Sequence, residues 1–329
     1  MKIFVTGGTG FVGSHLVESL LAQHDDVTCL VRSPTKAERL FPPDNRPTFL
    51  RGDLDDMDAL TQGCEGAEVV FHLAGLTAAR NRAEFLAVNG HATRTLATVA
   101  KKTAPNLRRF VYVSSLAAAG PTTQGNPLTE DATSQPVSDY GWSKRAGEEA
   151  VRASGLPWTI VRPPTVYGPR DTEVFKVFKL AKLGLSVFFG DGSQELSLVY
   201  ATDLADALVR SVSPDAENRA FFASHPEIHT SREFATAIYR AVKKSEAKRP
   251  ITVPVPGPLA RGILWVTGTA ASLTRRATVL NANKANEFLA EAWTCSSQAM
   301  TDATGWEPST DLSAGLRQSV DWYESVGWL

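Results

Sequence analysis

The stretch Lys2-Ile-Phe-Val-Thr-Gly-Gly-Thr-Gly-Phe-Val-Gly13 decides the fold. An apolar, β-prone run from Ile3 to Val5 leads directly into glycines at 7, 8, 10 and 13, and an amphipathic run, His15 to Ala22, follows at once. Strand, glycine turn, helix is the order a dinucleotide pyrophosphate needs. Glycines let the backbone turn tightly and approach the ligand closely, and the helix N-terminus offers unpaired N–H groups and the positive end of a dipole. Glycine patterns also occur in ordinary turns. The position of this one, at the opening of a strand–helix–strand unit, is what gives it meaning.

Working outward, short β-branched runs alternate with helical patterns through the first half. Strands are expected at 27–31, 48–51, 69–74, 110–114 and 158–162, with helices at 59–63, 84–101 and 140–153. Nearly continuous apolar strands separated by helices predict a parallel sheet covered on both faces. The expected architecture is therefore α/β, a Rossmann doubly wound parallel sheet with a smaller C-terminal substrate-binding lobe. Pro163-Pro164 and Gly168-Pro169 break the alternation, which divides the chain into a dinucleotide-binding region 1–165 and a mainly substrate-binding region 166–329. Segments around 188–225 are expected to contribute to either part. Helices are expected at 230–242, opened by the capping box Thr230-Ser-Arg-Glu233, and at 312–324.

Composition narrows the function. The 329 residues carry 34 basic and 35 acidic side chains, a net charge of −1. No broad basic field advertises nucleic acid or an anionic membrane. Three widely spaced cysteines, Cys29, Cys64 and Cys295, build neither a disulfide framework nor a metal site, which fits a reducing cytoplasm. The chain opens on a strand with no room for a signal peptide, and no apolar run reaches 18 residues, so a cytoplasmic protein without a membrane span is expected. The longest apolar segment, 262–273, ends at Arg275-Arg276. It reads as a core or substrate-facing helix, with an interfacial anchor as the alternative.

Tyr140-Gly-Trp-Ser-Lys144 places a phenol and an ammonium four residues apart, on one face of a helix. A cation one turn away, with a positively charged nicotinamide nearby, favours the phenolate and draws the tyrosine toward useful acid–base range. Ser115 follows the expected end of strand five, at the carboxyl edge of the sheet where open α/β sheets bind ligands. Its hydroxyl there can hold a substrate oxygen beside the tyrosine. Ser115, Tyr140 and Lys144 are the candidate catalytic residues.

On these residues the chain resembles the extended short-chain dehydrogenases/reductases, the group that contains sugar-nucleotide epimerases, dihydroflavonol reductases and 3β-hydroxysteroid dehydrogenases. Thr6 to Gly13 matches the family's T-G-x-x-G-x-x-G, which implies cofactor contacts at Gly7, Gly10, Phe11, Val12 and Gly13. Gly52-Asp53-Leu54 matches the segment whose Asp meets adenine, and Phe71-His-Leu-Ala-Gly75 the one beneath the cofactor, implying contacts at Asp53, Leu54, Leu73, Ala74 and Gly75. Arg162 to Arg170 resembles the loop over the nicotinamide, which adds Pro163 and Val166. The resemblance makes Tyr140 the general acid in reduction, has Lys144 bind the nicotinamide ribose as well, and has Ser115 orient the carbonyl. It also leaves room for a homodimer through helices 84–101 and 140–153. Beyond about residue 210 only Thr304-Gly-Trp-Glu-Pro308 is familiar. Asn89 matches an Asn of the family's N-V-x-G-T helix, although Gly90 and Ala92 depart from that pattern; a proton relay and a local backbone bond are both open to it.

Strand two closes on Cys29-Leu-Val-Arg-Ser33, with Arg32 where an NAD site keeps a carboxylate for the ribose 2′-hydroxyl. A guanidinium suits a 2′-phosphate, with Lys36 adding to the field, so NADP(H) is favoured over NAD(H). Among four readings, the intact Ser115, Tyr140 and Lys144 argue against a non-catalytic cofactor sensor. Leu116-Ala117 stands where the family's dehydratases carry Asp-Glu, which argues against elimination chemistry. Gly190 to Tyr200 resembles the G-D-G-x-x-x-R-D-F-V-x stretch of sugar-nucleotide enzymes, but Leu196 and Ser197 replace its Arg and Asp. A buried diphosphate without its arginine is costly. The expectation is therefore an NADPH-dependent oxidoreductase acting on a ketone or secondary alcohol of a small, apolar substrate, with no metal and no nucleic acid. An NAD-dependent sugar-nucleotide epimerase is the alternative.

Overall fold

The computed structural model describes residues 1–245, 247–273, 278 and 282–329. Arg275-Arg276 lie outside the described residues. Strand β1 (Lys2–Thr6) lies inside a seven-stranded parallel sheet, next to its central strand. On one side it pairs with β2 (Asp26–Val31), which pairs with β3 (Thr48–Arg51). On the other side follow β4 (Val69–His72), β5 (Arg109–Val113), β6 (Trp158–Arg162) and an edge strand, Arg219–Phe222. The order 3-2-1-4-5-6 reverses between β1 and β4, the switch point where such sheets open a ligand crevice. The α/β doubly wound sheet is as the alternation of strands and helices predicts.

The strands read as apolar runs because both faces are covered. Ile3, Val5, Val27, Cys29, Val69, Phe71, Val111 and Val161 face one core with helix α1 (Phe11–Ala22). Phe4, Leu30, Val70, Phe110, Tyr112 and Ile160 alternate into the other. The chain returns to this unit late. Helix Ala201–Arg210 packs on α1, and Trp306 is fully buried in the first core, its indole N–H donating to the Asp203 carbonyl at 3.1 Å.

The remainder builds a lobe over the carboxyl edge. Strands Thr165–Tyr167, Glu195–Tyr200, Ile228–Thr230 and Ala292–Trp293 form one small sheet, and Leu185–Phe189 pairs with Ile251–Val255 in another. Helices Phe175–Lys182, Ser231–Lys243 and Leu312–Ser325 close on a core that includes Phe178, Tyr200, Ile238 and Tyr323. The Thr230/Glu233 capping box forms as the sequence predicts.

Two elements differ from expectation. The helix over 84–101 is interrupted by a π-helical turn, Ala87–His91, which turns buried Asn89 toward the sheet edge. Helix Gly257–Leu273 is only partly buried over residues 257–267: Ala260 and Leu264 are buried, but Leu259, Ile263 and Val266 face outward. An apolar pattern alone does not say which apolar helix finds a partner.

Candidate active site

The glycine turn shows why these positions exclude side chains. Gly7 holds φ +78°, and a Cβ on it would lie 2.5 Å from the Ala74 nitrogen, so the turn rests directly on the Leu73-Ala74 backbone. A Cβ on Gly13 would fall 2.1 Å from the Gly7 carbonyl oxygen. The Gly10 N–H donates to that same oxygen at 2.9 Å. No side chain caps α1, and its first turn carries no acid. The N–H groups of Phe11, Val12 and Gly13 thus belong to an uncapped positive helix end, an arrangement that fits a pyrophosphate.

Arg32 stands exposed just beyond β2. Arg51, which the sequence reading passed over, closes β3 in register with Val31, so two guanidinium-bearing residues end neighbouring strands. No carboxylate follows β2 directly: Ser33 and Pro34 lead into a short helical turn that contains Lys36. Exposed Asp53 accepts from the Asp55 N–H at 2.9 Å, an Asx turn after β3, while half-buried Leu54 packs on the core.

At the other end of the crevice Ser115, Tyr140 and Lys144 come together. Ser115 caps a short helical turn, its Oγ accepting from the Ala117 N–H at 3.1 Å, and its hydroxyl stands near enough to the Tyr140 phenol to lower that group's pKa. Tyr140 and Lys144 lie one turn apart on helix Asp139–Arg152, which Ser138 caps through the Gly141 N–H. Lys144 Nζ donates to the Val113 carbonyl at 2.8 Å and sits 4.9 Å from the centre of the Tyr112 ring. A Cβ on Gly75 would be 3.4 Å from that ammonium, so the crevice floor at Gly75 is open to it. Pro163 joins the same corner, its carbonyl accepting from the Leu116 N–H at 2.8 Å, and half-buried Val166 pairs with Val199.

Burial, more than the lysine, governs the titration of the phenol. Removal from water pushes Tyr140 up to about 12, opposed by the Ser115 hydroxyl and reinforced by the Glu287 carboxylate. Burial likewise pulls Lys144 down to about 8, with Glu148 opposing. The sequence argument had the ammonium lowering the phenol. In the chain alone Nζ is directed to a backbone carbonyl, and the nicotinamide charge that the sequence argument also invoked is not among the groups acting on the phenol.

Three supports hold these residues in place. Asn89 is a clamp: its Oδ1 accepts from the Leu76 N–H at 2.8 Å, and its Nδ2 donates to the Leu76 carbonyl and to Ser143 Oγ at 3.0 and 2.9 Å. It joins the loop after β4 to the helix of Tyr140. Buried Glu148 takes a two-pronged contact from Arg162 at 2.8 and 2.6 Å and a bond from Ser114 Oγ at 2.7 Å. The third support comes from the distant lobe. Glu287 accepts from Ser138 Oγ, Asn283 Oδ1 accepts from the Asp139 N–H, and Lys284 Nζ lies 4.5 Å over the Tyr140 ring. Asn89 had its cue in the motif it matches, and Glu148 in being an acid on the buried face of an amphipathic helix; the contacts from 283–287 had none.

Two further positions bear on the ligand. Leu196 pairs with His229 and Trp293 across the lobe sheet and packs against the lobe core. Arg170, at φ +73°, grips Glu18 at 3.0 and 2.5 Å and Ser14 Oγ at 3.1 Å, which fastens the lobe's first loop to α1. Leu116 and Ala117, directly after Ser115, are buried apolar residues.

Residues 3–221 match the model of the NAD dependent epimerase/dehydratase family. The chain is 33% identical over 329 residues to a ceramide reductase of Caulobacter vibrioides, covering 99% of this chain and 96% of that protein. It is 28% identical over 344 residues to a UDP-glucose 4-epimerase of Mycolicibacterium smegmatis, covering 99% of each. Among solved structures, a UDP-glucose 4-epimerase of Thermotoga maritima with UDP-glucose superposes with a TM-score of 0.78 over 99% of both chains at 22% identity. Fold, glycine turn and full-length likeness agree: the chain belongs to the NAD dependent epimerase/dehydratase family, the extended short-chain dehydrogenases/reductases, and is an enzyme of that superfamily.

Proposed function

We propose that this enzyme reduces a ketone on an apolar, lipid-like substrate at the expense of NADPH. The observation that carries this reading is Leu196. Where a sugar-nucleotide enzyme keeps a diphosphate-binding arginine, this chain has a half-buried leucine packed against the lobe core, and Arg170, the obvious substitute, is held by Glu18 and Ser14. Two phosphates without such a partner forgo charge-assisted hydrogen bonds, each worth about 1.5–3 kcal/mol. The full-length similarity to a ceramide reductase supports the same substrate class.

The uncapped end of α1 and the carboxyl edge of residues 1–165 would hold the dinucleotide, Arg32 would meet a 2′-phosphate, and region 166–329 would mainly enclose the substrate. When bound, the dinucleotide supplies the hydride that reaches the carbonyl carbon. Ser115 and Tyr140 hold the carbonyl oxygen between them, and Tyr140 gives that oxygen its proton, so that ketone becomes alcohol. A phenol pushed to about 12 is fully protonated at neutral pH, the correct state for this donor. Lys144, charged and anchored on Val113, orients the ribose and favours the phenolate left behind.

A second reading, nucleotide-sugar epimerisation with retained NAD, draws on the similarity to the mycobacterial UDP-glucose 4-epimerase. One experiment separates them. NADPH absorbance is followed with long-chain ketones, and UDP-glucose is titrated calorimetrically. Consumption of NADPH only with the ketones is expected. Micromolar UDP-glucose binding by protein purified with NAD would select the epimerase.

A further inference from the structure

Among the described residues, thirteen large hydrophobic side chains are exposed, and six of them fall between positions 251 and 266. Ile251, 68% exposed, and Val253 lie on an edge strand whose partner is Leu185–Phe189. Through Pro256 that strand runs into helix Gly257–Leu273, where Leu259, Ile263 and Val266 are 56%, 43% and 58% exposed. Their spacing of four and three residues stacks them into one stripe, next to the face that carries buried Ala260 and Leu264. Trp265 is exposed beside it. An apolar stripe turned to water is unfavourable unless something covers it.

Charge identifies what covers it. In a chain with a net charge of −1, positions 240 to 276 hold eight basic residues against one acid, Glu246. Lys248 and Arg249 are exposed just before the strand, and Arg261 is exposed on the helix face turned away from the stripe. An exposed apolar stripe on a helix whose other face and flanks carry cations is what lying in the headgroup region of an anionic bilayer requires. No described helix is long and apolar enough to cross a membrane, so the contact is superficial. We propose that strand Ile251–Val255 and helix Gly257–Leu273 form a docking face for an anionic lipid bilayer.

The same helix packs against Ala282–Lys284 and Ala285–Phe288, the segments that place Lys284 over the Tyr140 ring and Glu287 on Ser138. A protein docked through this face brings the border of the candidate site to the membrane, where an apolar ketone is concentrated. The docking itself stands without the reductase reading and is measured without turnover.

The test is co-sedimentation of the full chain with vesicles of phosphatidylglycerol and phosphatidylcholine, and with phosphatidylcholine alone. Binding to the anionic vesicles, weakened by salt, is expected. The variant carrying Leu259→Glu, Ile263→Glu and Val266→Glu should lose about tenfold or more of it, with its circular dichroism and thermal midpoint confirming the fold. A second variant, Lys248→Glu with Arg261→Glu, should weaken binding and reduce its salt dependence. Wild-type protein left in the supernatant, or either variant binding undiminished, overturns the proposal. So does a dimer that dissociates in the triple variant while no vesicle is bound, since the face would then join two copies of this chain.

Discussion

The Nδ1 of His72 lies 2.6 Å from the hydroxyl of Thr6, tying the end of β4 to the end of β1 across the switch point. The other ring nitrogen lies 2.9 Å from Thr93 Oγ1, whose own proton goes to the Asn89 carbonyl. Thr93 therefore accepts from Nε2–H, and Thr6 donates to Nδ1. This relay holds the imidazole neutral, and burial pulls its pKa down to about 3.

A histidine whose folded pKa is lowered binds its proton more readily unfolded, so stability is full above about 6.5 and falls as the pH drops toward about 3. Urea midpoints measured from neutrality down to about pH 4 should decline, and His72→Gln should flatten part of that slope. Identical slopes in the two proteins would remove His72 from the explanation.

Tyr140→Phe should leave dinucleotide binding nearly intact while ketone turnover drops by about 10²–10⁴, the usual contribution of a general acid. Single-turnover reduction is the appropriate assay, because it separates chemistry from product release. A rate equal to wild type would displace Tyr140 as proton donor.

The Lys144 ammonium, drawn down to about 8 by burial, should appear in the pH profile. Reduction is expected to be flat below that value and to fall above it, as the charge that orients the ribose is lost. Lys144→Ala should depress both binding and rate and abolish this inflection. An unchanged inflection in that variant would assign it elsewhere.

Arg32→Asp should weaken NADPH by about 10–150-fold, the loss of one charge-assisted bond, and improve NADH. Arg51→Ala should produce a smaller loss in the same direction. Calorimetric titration with both dinucleotides is decisive, since NADH binding tighter than NADPH to the unaltered protein would end the NADP reading.

Glu148→Ala leaves the Arg162 guanidinium buried without its two-pronged partner, and a cost of about 3–5 kcal/mol is expected. Replacing both residues with apolar ones of similar size should recover much of that loss. Denaturant unfolding of the single and double variants measures it, and additive losses would argue against direct coupling.

Much of this protein was determined by local sequence. Alternating apolar runs set the sheet, because parallel strands covered on both faces admit little else, and the run from Lys2 to Gly13 marked its first crossover. Tyr140 and Lys144 fell on one helix face by spacing alone, and Ser115 followed from its place after a strand. What only the tertiary structure decided involves partners far apart in the chain. Lys284 and Glu287 reach Tyr140 from about half the chain away, and no local pattern encodes that contact. Asn89 became a clamp because a π-helical turn aims it at Leu76 and Ser143. The apolar helix after Gly257 could be read as core, since hydrophobicity records a tendency to leave water but not the surface that receives it. Burial, likewise a property of the assembled fold, sets Tyr140 at about 12 and Lys144 at about 8, because both groups lose water only when sheet, helix and lobe close together.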